Sequence, residues 1–149
     1  MRPVFALAVV ALAAPAAAQS ADDAALLRSV RAIGDATAGQ RIGAGQAADK
    51  LVFLARSGGR IVVTSVAALV PGADWVDPPA GAIAVLRTRA SASDPSDVAY
   101  AQRTGLSVFI VNESASPAAI LEIARQGGAI RLRDIDSRGL AGPWRAPAG

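Results

Sequence analysis

Two arginines and two aspartates near the middle of the chain are the residues whose types and spacing could do chemistry. Arg87 and Arg89 stand two apart in the run IAVLRTR (83–89), and Asp94 and Asp97 stand three apart in Asp94-Pro95-Ser96-Asp97. Residues two apart on a strand leave the same face, and residues three apart at a helix start are neighbours. Two guanidiniums so placed can pair with the carboxylates. Alternatively they point outward and, with the positive end of the following helix, hold a carboxylate or phosphate ligand. The carboxylates alone suggest a hard cation or the acid and base of glycoside hydrolysis.

Composition removes most of this chemistry. The chain has no histidine and no cysteine. Catalytic zinc is held mainly by imidazoles, with one position open for the activated water. Carboxylates and carbonyls suit magnesium, calcium or manganese better. The Ser-His-Asp and Cys-His constellations fall with the histidines. A Ser-Lys dyad would have to recruit Lys50, the one lysine, which opens a β-prone run and reads as an edge-strand charge. The spacing around Asp94 and Asp97 lacks the alternating oxygen ligands of a calcium loop. Capping accounts for both: Asp94 suits the N-cap, Pro95 the first helical position, and Asp97 the third. Hence no catalytic residue, metal ligand or cofactor is expected. Arg87, Arg89, Asp94, Ser96 and Asp97 remain as the candidate site, for an anion or as the remnant of an active centre.

The elements that must position these residues are a strand, a loop, a helix and a second strand. Ile83, Val85 and Leu86 favour a buried strand, and Arg87-Thr88-Arg89 reads as that strand emerging at its end. A loop over 90–93 follows. The helix then opens at Pro95 and stops at Gly105, a residue suited to the left-handed conformation that ends helices. LSVFIV (106–111) is a short apolar run that fits a central strand, and Asn112 ends it.

This arrangement resembles the JAB/MPN metalloprotease-like fold, over roughly Lys50 to Arg133. In that family a strand ends in His-x-His, a loop leads to Ser-x-x-Asp at a helix start, and a core strand follows. Here Arg87-Thr88-Arg89 holds the His-x-His place. Asp94-Pro95-Ser96-Asp97 holds the Ser-x-x-Asp place, with the aspartate matched and the serine not. The resemblance implies an α/β fold of the mixed α+β kind: a single domain with one mixed sheet built from hairpins and flanked by helices. It also implies a domain that has lost its metal ligands and, with them, the family's activity.

The beginning of the chain, MRPVFALAVVALAAPAAAQS, has the layout of a secretory signal peptide: one positive charge, an apolar run and the small-residue site Ala16-Ala17-Ala18. Residues 1–18 are expected to be removed, leaving no membrane anchor and a periplasmic or secreted protein. The Ala- and Arg-rich composition points to a bacterial source. About 130 residues then remain, enough for one domain and not for two. The formal charge of +3 falls to +2 when Arg2 leaves with the leader. With no basic run and no aromatics interleaved with one, nucleic acid is not an expected partner.

The remaining segments give a helix over 20–33, with Leu26, Leu27, Val30 and Ile33 at helical spacing before Gly34. A linker closes the N-terminal segment (19–49), and the domain proper follows at 50–136. LVFLAR (51–56) and RIVVTS (60–65) flank Ser57-Gly58-Gly59, a hairpin signal, with 66–70 able to prolong the second strand. The loop 71–81 carries Trp75, expected as a lid over the core edge. The alternating run after Gly127-Gly128 reads as the second arm of a hairpin with one face on the core and a charged face in water. Its first arm, ILEIAR (120–125), would also suit a short helix between Ser116-Pro117 and the glycines, and the resemblance to the family implies a strand. Residues 137–149 form a tail pinned by Trp144.

The function expected from these readings is a binding or structural role for an exported, catalytically degenerate domain. Its partner is a protein or a small anion. Two other readings stay open: a hydrolase of peptides or cell-wall fragments working without zinc, and an immunity- or inhibitor-type partner protein.

Overall fold

A computed structural model describes residues 23–38, 49–70, 73–89 and 93–148. The expected leader, the helix start at 20–22 and most of the linker lie outside the described residues. Helix α1 spans 23–38. It is followed by β1 (Asp49–Ser57), β2 (Arg60–Leu69), β3 (Ala82–Arg89), α2 (Pro95–Thr104), β4 (Ser107–Asn112), β5 (Ala119–Gln126) and β6 (Ala129–Ile135). The strands form one six-stranded sheet in the order β2-β1-β3-β4-β5-β6. Only β3 and β4 run parallel, which requires a crossover, and α2 is that crossover. The domain is thus a mixed α+β fold with a helix on each face of a mixed sheet.

Both hairpins turn on two glycines, Gly58-Gly59 and Gly127-Gly128, and all four have positive φ. A two-residue turn with both central residues there matches the twist of the flanking strands. Alternation then divides the core between the two faces. Val52, Leu54, Leu86, Phe109, Val111 and Ile120 pack under Leu26, Leu27 and Val30 of α1. Leu51, Phe53, Val85, Val108, Ile110 and Ile123 pack under Tyr100 and Ala101 of α2. β4 is buried on both faces from Val108 to Val111, as the continuous apolar run requires.

Three features correct the sequence reading. Helix α1 does not stop at Gly34 but continues to residue 38. Gly34 faces the sheet, where a β-carbon would stand 3.0 Å from Ile120 Cδ1 and 3.5 Å from the Val111 methyls. The glycine is there for close packing, and Arg31 pairs with Asp35 one turn on, across it. Strand β1 begins at Asp49, which the sequence reading left in the linker and which is buried.

The charged face of the second hairpin is the third correction, because only part of it is in water: Arg131 is exposed, but Glu122 and Arg133 are not. Glu122 and Arg133 sit opposite each other on β5 and β6 and are both buried. Arg133 donates to Glu122 (2.5 Å) and to Asp23 of α1 (2.7 Å), with the Trp144 ring 4.1 Å over its guanidinium. Burial pushes the Glu122 carboxyl up from its ordinary value, and Arg133 opposes the shift. The tail is held by backbone as well as by its indole. Leu132 and Arg145 exchange two N–H···O bonds of 2.8 Å, and Ile135 bridges to Ala141. The outer edge of β6 is therefore covered by the chain's own end.

Candidate functional site

The junction between the end of β3 and the start of α2 brings four of the five candidate residues together, Arg89, Asp94, Ser96 and Asp97, while Arg87 turns to other partners. α2 has the expected ends: Asp94 is an extended N-cap, Pro95 opens the helix, and Gly105 closes it with φ 74°. The capping box is complete and uses two aspartates. Asp94 accepts from the Ser96 N–H (2.8 Å) and from the Ser96 hydroxyl, while Asp97 accepts from the Asp94 N–H (2.9 Å).

β3 does not emerge where its sequence turns polar. Arg87, Thr88 and Arg89 are 1%, 0% and 6% exposed, so the strand stays buried to its end. Thr88 faces away from the arginines, and its hydroxyl accepts from the Lys50 N–H (3.0 Å). Arg87 and Arg89 leave the α2 face, as alternation requires. Buried charges need partners, and each arginine finds different ones.

Arg89 spans both aspartates. It donates to Asp97 Oδ2 (2.7 Å) through Nη1 and to Asp97 Oδ1 (2.5 Å) through Nη2, a forked charge-assisted pair. Nη1 also reaches Asp94 Oδ2 at 3.1 Å. This is the internal pairing that the spacing allowed.

Arg87 does not share it. Arg87 donates to Asp49 of β1 through Nε (3.1 Å) and Nη2 (2.9 Å), and to the Ala73 carbonyl (2.8 Å). Its Nη1 is buried without a hydrogen-bond partner. The Trp75 ring lies 5.1 Å from the guanidinium carbon, so part of the charge faces a π-cloud.

Trp75 joins the two arginine sites. Its ring stacks on Tyr100 of α2, 4.2 Å between centroids with 17° between planes, and its indole N–H donates to Asp97 Oδ1 (3.1 Å). Tyr100 donates in turn to the Val76 carbonyl at 3.0 Å. The loop after β2 is thereby fastened over the junction, the lid expected of Trp75, with a polar contact that its position in the sequence did not reveal.

Asp97 ends up fully buried with four donors on two oxygens: Arg89 Nη2 and Trp75 Nε1 on one, Arg89 Nη1 and the Asp94 N–H on the other. A carboxylate offers about four lone-pair positions. All are taken. Burial pushes the Asp97 carboxyl up from its ordinary value, and the Asp94 N–H and Arg89 pull against that shift. For the half-exposed Asp94 burial also raises, but the Ser96 hydroxyl, Arg89 and the helix N–H groups outweigh it and hold the carboxyl below 3.8.

Among the described residues no group of three His, Cys, Asp or Glu side chains could hold a metal ion. Beside the junction lies a groove of two adjoining hollows that share Ser93. One, of about 190 Å³, is lined by Ile110, Asn112 and Leu121; the other, of about 370 Å³, by Asp94, Val98, Leu132 and Pro147. Both arginines are beneath the surface and absent from its lining. The sequence reading missed Asp49, because a carboxylate 38 residues before its partner arginine carries no local signal.

Among the described residues no helix is long and apolar enough to cross a membrane. Comparison with protein-family models, with curated proteins and with solved structures finds nothing that matches this chain.

Proposed function

We propose that this chain is an exported, catalytically degenerate JAB/MPN-like domain whose role is binding or structural rather than enzymatic. Kinship is supported by the order of strand, loop, helix and parallel strand, with Asp97 at the helix start aimed at the strand end. Export is supported by the leader-like first residues.

The observation that carries the loss of catalysis is the saturation of Asp97. In a metal-dependent hydrolase this carboxylate would ligate the ion or meet the attacking water, and either task needs a free lone pair. Here the guanidinium of Arg89 occupies two of its positions and protein N–H groups occupy the rest. A dication balanced by a carboxylate has given way to a guanidinium balanced by the same carboxylate, so charge-assisted hydrogen bonds hold the loop where coordination would.

The double variant Arg87→Gln/Arg89→Gln tests this reading. With both charges gone, Asp49 and Asp97 are buried without their counter-charges, and the protein should lose thermal stability with no ligand present. Unchanged stability together with lost binding of inorganic phosphate would make the arginines an anion site and overturn the proposal.

A further inference from the structure

The two edges of the sheet are treated differently. β6 is covered by residues 141–145 and carries Arg131, Arg133 and Asp134. β2, at the other edge, has β1 as its one hydrogen-bonded neighbour among the described residues. From Ile61 to Val70 it reads IVVTSVAALV, ten residues without a charge or a proline. Val63, Val66 and Val70 are 48%, 63% and 76% exposed. Soluble proteins guard long edge strands with lysines, prolines, bulges or coverings, because unpaired N–H and C=O groups invite another strand. Among the described residues the one such guard on β2 is a bulge: the register passes from Phe53 opposite Ser65 to Leu54 opposite Val63, leaving Thr64 unopposed. The stretch 65–69 beyond it is regular and extended.

We propose that β2 pairs antiparallel with β2 of a second copy, joining two sheets into one across a two-fold axis. This goes beyond the functional reading above and does not depend on it. The occupant follows from charge and closure. An uncharged strand is complementary to itself: pairing about a centre within 65–69 brings valines and alanines together, and the Arg60 residues of the two copies fall at opposite ends. β-Branched residues facing one another across strands are favourable pairs. A charged partner strand would find no counter-charge on 61–70 to select it. A head-to-tail β2–β6 array is blocked because the tail already occupies β6, so association stops at a closed dimer.

Sedimentation velocity on the full chain, from about 1 to 200 µM, provides the test. The expected result is a shift from one to two chain masses as concentration rises, abolished by Val66→Lys and by Val63→Lys. Val66 is mostly exposed and Val63 about half, so a lysine can reach water at either place and the variants should keep the parent's circular dichroism and melting temperature. Should a variant fail to fold, hydrogen exchange on the parent decides: protection at 65–69 that rises with concentration supports the pair. A single chain mass throughout the range, growth beyond two chains, or a dimer insensitive to both lysines overturns it. Capture of a foreign extended segment by a chain that stays monomeric likewise overturns the second copy as occupant.

Discussion

Arg89 and Asp97 face each other through two parallel N–H···O bonds, 2.7 and 2.5 Å long, with both side chains out of water. They are eight residues apart in sequence, and between them the chain leaves a strand and enters a helix. The pair therefore fixes the angle at which α2 departs from the sheet. Removing the cation leaves a buried carboxylate uncompensated, so Arg89→Gln should destabilise the fold by about 3–5 kcal/mol in chemical denaturation. Arg89→Lys restores the charge without the fork and should fall between the variant and the parent.

Asp94 caps the helix from a half-exposed position. Asp94→Ala should cost about 0.5–2 kcal/mol by the same measurement. Its pH dependence has a definite sign. The folded-state value lies below the ordinary 3.8, so the contribution is complete above that value and is lost as pH falls through the folded one. The stability gap between parent and variant should therefore be widest near neutrality and shrink below about pH 4.

Trp75→Phe separates the two contributions of the lid. The ring still stacks on Tyr100, but Asp97 loses one of its four donors. Asp97 Oδ1 keeps Arg89 Nη2, so the cost is that of one hydrogen bond to a charged group, about 1.5–3 kcal/mol, and the melting temperature should drop although the aromatic contact survives. An unchanged melting temperature would mean that the indole N–H bond contributes nothing.

Local chemistry made much of the fold legible. Gly58-Gly59 and Gly127-Gly128 announced the two hairpins, and Asp94-Pro95 with Gly105 bounded α2 to the residue, because turns and caps are decided by neighbours in sequence. Burial of charge was not legible. Arg87-Thr88-Arg89 looks like a strand reaching water, and Glu122 and Arg133 look like a solvated face. What keeps them inside is Asp49, the Ala73 carbonyl, Trp75, Asp23 and Trp144, all brought there by tertiary structure. Gly34 failed for the opposite reason. Its local preference is to end a helix, and close packing of α1 on Ile120 overrides it. Arg89 with Asp97 was legible because alternation on the strand and the cap spacing on the helix both aimed at the same point.

Elemental analysis of the purified protein, after exposure to excess zinc and removal of the unbound ion, addresses the central claim most directly. Asp97 has no lone pair to spare and the chain has neither histidine nor cysteine, so the account predicts no stoichiometric zinc and no chelator-sensitive peptidase activity. About one zinc per chain, lost on Asp97→Asn, would contradict it.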